Sequence, residues 1–258
     1  MTKELEAVEH VPTDFYARYV QQLRPLAVRG AARNWPAVGK WTPEYLIEKI
    51  GHHEVSQASL DHEELAEFTM ADFLELLLLP PDEVDELPYV RNKFLHAVFP
   101  ELSPDVGRLD WLQPNWLERE PFASLIRVMR PNWFDWCEFF VSKAETRYPF
   151  IHTDHCALHA WSAQIYGSKR YWVWPPIPGF HENVPCVGED LSTFLGVEPF
   201  TVVLDPGDVV FIPSNWPHTA ESVTASMTIS GAHVNEANWL PFAREFCATD
   251  LLKELQRS

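Results

Sequence analysis

The sequence predicts a mainly β protein, an antiparallel barrel of the jelly-roll type with a helix-rich lobe in front and one helix behind. Three observations predict it. Beyond residue 86, short runs rich in Val, Ile, Phe, Tyr and Trp alternate with turns bearing Pro and Gly, the pattern of a sandwich or barrel. Before residue 87, apolar spacing and capping residues read as helices. Within the strand-rich part, His152-Thr153-Asp154 and a distant His218, in Asn215-Trp216-Pro217-His218, offer metal ligands that a jelly-roll barrel accommodates.

The elements follow in order. Asp14 to Leu23 places Phe15, Tyr19 and Leu23 on one side of a helix. Pro25 to Gly30 reads as a short strand ended by glycine. Thr42-Pro43 supplies an N-cap and a first-turn proline for a second helix, which Gly51 stops. Thr69-Met70-Ala71-Asp72 is a capping-box pattern that opens a third, ending at Pro80-Pro81. The acidic stretch Asp82 to Glu86 divides a lobe over 1–86 from a barrel over 87–237, and 238–258 forms the closing helix. Strands are expected at 89–91, 138–141, 150–154, 161–166, 171–174, 200–204, 209–212 and 226–230. The proline-punctuated connection 175–198 reads as a lid over a pocket mouth or as a plain surface insertion.

A chain of 258 residues, 46% hydrophobic and with 11 Trp, has enough apolar surface for one large core without a disulfide framework. Cys137, Cys156, Cys186 and Cys247 form no CxxC pair, which speaks against a structural zinc site and fits a reducing compartment. No charged-then-apolar leader opens the sequence, and the most aliphatic run, Phe73 to Leu79, is too short to span a bilayer. The expectation is a soluble, cytoplasmic protein with no membrane partner. A net charge of −17 repels phosphate backbones, so nucleic acid is not an expected partner. The closing helix serves either as a homodimer contact or as a cover for the barrel.

His152 and Asp154 stand two residues apart, so on a strand both side chains face the same way. His218 follows Asp154 by 64 residues, enough for a return across the sheet. Two histidines and one carboxylate match the facial triad of non-haem Fe(II) sites, which leaves coordination positions open. From spacing alone, ordinary polar residues at strand ends explain the pattern equally well. Lys169, just past Gly167, adds a second signal, because a buried lysine there needs a carboxylate partner. The far carboxylate of 2-oxoglutarate would be one; a lysine exposed in a hairpin is the alternative.

The run His152 to Trp172, with Ala160-Trp161-Ser162 and Gly167-Ser168-Lys169 inside it, resembles the JmjC, or cupin-like, Fe(II)/2-oxoglutarate oxygenases, whose fold is a double-stranded β-helix. Pro206-Gly207-Asp208 through Trp216-Pro217-His218 resembles the second ligand strand of that family. Pro25 to Gly51, with Trp35-Pro36 and Lys40-Trp41-Thr42, resembles the lobe before its barrels, so the likeness covers nearly the whole chain. The 17-residue step from His152 to Lys169 is similar to that of the JmjC protein lysyl hydroxylases. The resemblance implies that His152, Asp154 and His218 ligate Fe(II), and that Lys169 and Tyr89 bind the far carboxylate of 2-oxoglutarate. It also implies that Ser162 and Ser230 sit near this co-substrate. Arg91, Asn92 and Trp174 are candidates for the substrate channel. Two departures stand out: Gly231-Ala232 replace bulky aromatic residues, which widens the pocket or shifts a strand, and His155 and His159 add imidazoles with no family role.

The activity so implied is a dioxygenase that hydroxylates a C–H of a protein or peptide side chain, lysine among them, with O2 consumed and 2-oxoglutarate converted to succinate. N-methyl demethylation and hydroxylation of a small molecule use the same chemistry. A non-catalytic metal-binding cupin that holds a ligand or partner is the alternative of another class. Beyond the metal centre no catalytic acid or base is expected.

Overall fold

A computed structural model describes residues 3–58, 65–80, 83–84, 87, 89–129 and 137–247. Thr42 keeps extended backbone and its hydroxyl accepts from the Tyr45 N–H, so helix Pro43–Ile50 begins at the expected cap. Thr69 does the same for helix Met70–Leu77 by accepting from Asp72 N–H, but this helix stops three residues short of Pro80. The expected helix over 14–23 is only a π-type turn, Tyr16–Val20. The chain reverses at Leu23, whose φ of 50° ends any helical run.

The strands are β1 (Lys3–Glu4), β2 (Ala7–Val8), β3 (Leu26–Val28), β4 (Glu54–Ala58), β5 (Leu65–Thr69), β6 (Val90–Phe94), β7 (Cys137–Ser142) and β8 (Phe150–Ile151). They continue with β9 (His159–Tyr166), β10 (Lys169–Val173), β11 (Val184–Pro185), β12 (Phe200–Leu204), β13 (Val209–Ile212), β14 (His218–Ser222) and β15 (Ser226–His233). A seven-stranded sheet runs β2-β3-β13-β9-β15-β7-β6, and a four-stranded one runs β1-β12-β10-β14. The antiparallel pair β8–β11 extends the smaller sheet through a bridge between His152 and His218. Two facing sheets joined in this way form the expected jelly roll.

Alternation along the strands of the large sheet decides what each face does. Phe139, Val141, Ala163, Ile165, Met227 and Ile229 face outward into a core shared with Trp41, Leu46 and Phe73 of the helical region. Glu138, Phe140, Ser162, Thr228 and Ser230, on the alternate positions, line a cavity between the sheets. Helices thus cover one side of the large sheet, and its other side is left polar for chemistry.

The division at 86 does not describe the first 28 residues. β1 pairs in parallel with β12, and β3 pairs with β13, so this stretch is woven into both sheets. Most of the 82–86 segment and all of 248–258 lie outside the described residues. Residues 239–247 are helical, as expected for the closing helix. The 175–198 connection contributes β11 and packs Phe180, Cys186 and Leu191 onto Ile151, Trp172 and Trp174. Among the described residues no helix is long and apolar enough to cross a membrane.

Candidate metal centre

The backbone brings the two histidines together. His152 follows β8 and His218 opens β14, and each N–H donates to the other's C=O, at 3.1 and 2.8 Å. Residues that exchange both bonds stand directly opposite with their side chains on one face. The two imidazoles accordingly meet with ring centroids 4.4 Å apart. His218 Nδ1 donates to the Trp216 carbonyl at 3.0 Å, and His152 Nδ1 to that of Phe150 at 3.4 Å. A carbonyl only accepts, which places a proton on Nδ1 in each ring, the arrangement in which Nε2 is the nitrogen available to a metal.

Asp154 lies beyond β8 but keeps extended backbone (φ −62°, ψ 140°), so its carboxylate shares the side of His152. Its Oδ2 stands 3.8 Å from His218 Nε2. One ligand atom from each of the three residues lies within 4.8 Å of the others. Burial and the adjacent His218 ring hold His152 well below the usual imidazole range, so it is neutral and able to ligate. Two imidazole nitrogens and a carboxylate oxygen, each of a type that ligates metals, converge here. A divalent cation fits that arrangement, and the donor set suits Fe(II).

The cavity beside these residues has a volume of about 480 Å³. Lys169, only 1% exposed, lines it from β10 and donates to the Tyr89 hydroxyl at 2.8 Å. Its ammonium also lies 5.2 Å from the centre of the Tyr89 ring. Burial pushes Lys169 down to about 7 and the Tyr89 phenol upward. No carboxylate among the described residues forms an ion pair with Lys169. The Ser162 and Ser230 hydroxyls, paired across β9 and β15, lie 2.6 Å apart on the same cavity wall.

Arg91 and Asn92 also line the cavity. Asn92 has a φ of 55° and sits where the β6–β7 register shifts, a bulge that redirects its side chain toward the Tyr148 hydroxyl. Trp174 does not reach the cavity. Its ring is fully buried with Trp172, Phe180 and Leu191, because the chain just past β10 packs against the 175–198 connection. His155 is exposed at the cavity mouth. His159 is buried, and its Nδ1 accepts from the Ser214 N–H at 2.9 Å. Burial and the neighbouring His233 push His159 down to about 3. Gly231 does not widen the pocket: a Cβ there would stand 2.3 Å from Trp161 Cζ2, so glycine makes room for that indole.

Among the cavity residues that the sequence reading did not single out, Tyr171, Glu138 and Tyr148 matter most. Tyr171 follows Lys169 by two on β10, so strand period would have found it. Glu138 alternates with the core residue Phe139 and was legible in the same way. Tyr148 has no such pattern, yet its ring packs 4.8 Å from His152 and 5.8 Å from Tyr89, joining the triad to the lysine. A second group, His52, His53 and Glu101, also brings ligand atoms together, but on the surface.

A family model described as a cupin-like domain matches residues 12–181. An arginine-specific demethylase of Arabidopsis thaliana is 23% identical over 263 residues, covering 94% of this chain and 48% of that protein. A 2-oxoglutarate and iron-dependent oxygenase of Gallus gallus is 24% identical over 263 residues, covering 88% of this chain and 58% of that protein. A bifunctional arginine demethylase and lysyl-hydroxylase of Caenorhabditis elegans is 23% identical over 229 residues, covering 81% and 54%. The chain therefore spans about half the length of the relatives it matches.

Proposed function

The chain belongs to the cupin-like domain family, in its JmjC-type form, and on that premise we propose that it is an Fe(II)- and 2-oxoglutarate-dependent oxygenase acting on a side chain of a protein or peptide. The observation that carries this reading is the pairing of an acceptor triad with a buried, carboxylate-free lysine in one cavity. His152, Asp154 and His218 would hold the metal. Bound there with 2-oxoglutarate and O2, it would supply oxidative decarboxylation to succinate and the insertion of one oxygen atom into a C–H bond.

The chain's own residues bind and orient. Lys169 and Tyr89 take the far carboxylate, a charge-assisted contact in a site sheltered from water. The Ser162 and Ser230 hydroxyls face the same ligand, and Tyr148 walls the space between lysine and triad. Phe150 and Trp216 carbonyls keep the two imidazoles in the tautomer that ligates. At the mouth, Glu138, Asn92, Asn183 and His155 offer polar contacts to a substrate segment, with Arg91 deeper in the wall. A carboxylate there, on a protein of net charge −17, favours a basic side chain such as lysine or arginine.

Hydroxylation and N-demethylation use the same residues and differ in which C–H is presented. The names of the relatives include both. Incubation of the iron-loaded protein with lysine- and arginine-bearing peptides, plain and N-methylated, separates them by mass spectrometry. Gain of one oxygen on a plain side chain supports hydroxylation, and loss of a methyl group supports demethylation. Succinate formation that no peptide or protein fraction stimulates would count against a protein substrate.

A further inference from the structure

Immediately after Asp154 the backbone leaves its ordinary range. Cys156 (φ 55°, ψ 34°) and Ala157 (φ 47°) are both left-handed, although neither is glycine. Consecutive residues of this kind persist only where the surroundings over-determine them. Here the surroundings centre on Asn238, which is fully buried. Its Nδ2 donates to the Ala157 carbonyl at 3.0 Å and to the His233 carbonyl at 3.1 Å, and its Oδ1 accepts from the Asn235 N–H at 2.8 Å. One amide therefore ties together the turn after Asp154, the end of β15 and the start of helix 239–247. That helix opens with the bond from Trp239 N–H to Asn235 C=O. Its Phe242 and Phe246 pack in the same apolar cluster as Cys156 and Leu158.

We propose that Asn238 is a positioning residue for the metal centre. It holds the 155–157 turn in its left-handed form, and through that turn it sets the place of the Asp154 carboxylate and of the His155 ring at the cavity mouth. Helix capping alone explains only the Oδ1 contact. Both hydrogens of the amide are spent elsewhere, one of them on the strained turn. The closing helix thus acts at the metal centre from behind, without touching it.

This inference rests on the metal-centre reading, and one set of measurements separates the two. Mn2+ affinity is measured by calorimetry for the wild type, Asp154→Ala, Asn238→Asp and Asn238→Ser. Amide hydrogen exchange of residues 155–158 is followed in the metal-free proteins. Asn238→Asp keeps an acceptor for the Asn235 N–H but has no donor for Ala157, and Asn238→Ser avoids a buried charge; the variant with native near-ultraviolet dichroism is used. If the wild type binds Mn2+ no better than Asp154→Ala, the metal-centre reading itself is overturned. Given wild-type binding, the folded Asn238 variant should lose at least about tenfold in Mn2+ affinity, the usual effect of removing a group that orients a ligand. Exchange at Ala157 and Leu158 should quicken in the same variant. Adding Ala157→Gly should bring the affinity back to within about threefold, since glycine adopts the left-handed form unaided. Native affinity in the Asn238 variant, unchanged exchange, or no recovery with Ala157→Gly would each overturn the positioning role.

Discussion

Lys169→Met removes the one buried ammonium of the cavity and keeps most of its volume. Burial pushes Lys169 from 10.5 down to about 7. At about 1.4 kcal/mol for each tenfold in proton affinity, that displacement corresponds to about 4–5 kcal/mol of cost in the folded state. The unfolded chain releases this proton near 10.5 and the folded protein near 7, so between those values the unfolded chain binds more protons and stability rises with pH. Below about 7 both states are protonated and the cost is fully present. Methionine escapes the cost but leaves the Tyr89 hydroxyl without its 2.8 Å partner, a loss of about 1 kcal/mol. The variant should therefore be about 3 kcal/mol more stable than the wild type at pH 7, and the gap should close to about zero near pH 10. Urea denaturation at pH 7, 8.5 and 10 without 2-oxoglutarate reads it directly. A variant less stable than the wild type at pH 7, or a gap that does not move with pH, would refute the reasoning. The same variant should bind 2-oxoglutarate far more weakly, so stability and function trade against each other at one atom.

Other perturbations probe the surroundings of the cavity. Asp105 accepts from Lys40 Nζ at 2.6 Å, Trp41 Nε1 at 3.0 Å and Tyr45 hydroxyl at 3.3 Å. Burial raises its carboxyl, but the Lys40 and Trp41 bonds outweigh that and hold it below the usual carboxylate range. Asp105→Ala should cost about 2–3 kcal/mol at pH 7. Because the folded group is the stronger acid, the part of its contribution that depends on ionisation is present above the unfolded value and fades as pH falls through the folded one, so the gap between the urea midpoints of wild type and variant should narrow as pH falls below the usual carboxylate range. Gly231→Ala should destabilise by about 1–3 kcal/mol through collision with Trp161, and should cost far less in a Trp161→Ala background, a coupling that a double-mutant cycle measures.

The strands over 200–204 and 209–212 lie where their apolar runs and the Pro206-Gly207 turn between them put them: the first buries alternate residues from Val202 on, and the second is buried on both faces. The caps Thr42 and Thr69 were equally legible, since a hydroxyl before a helical run has one obvious partner. The β4–β5 hairpin was not, because Glu54 to Ala58 and Leu65 to Thr69 carry too few apolar residues to alternate clearly. The two histidines could be paired as candidate ligands from sequence, but their mutual bridge depends on the register between β8 and β14, which nothing local specifies. Trp174 shows the converse: three residues past the cavity-lining Tyr171, it falls on the opposite side with Trp172, and the indole packs on Phe180 and Leu191, so strand period alone would have excluded it from the cavity. Asn238 was invisible for the same reason as Tyr148, because its partners come from segments far apart in the chain.

The most direct test follows succinate formed from 2-oxoglutarate by wild type, Asp154→Ala and Lys169→Met with Fe(II), ascorbate and O2. Wild-type turnover should depend on iron and vanish in Asp154→Ala, while Lys169→Met should need a far higher 2-oxoglutarate concentration for any turnover. Succinate from Asp154→Ala at the wild-type rate, or none from a wild type that also fails to bind 2-oxoglutarate, would contradict the assignment of this cavity.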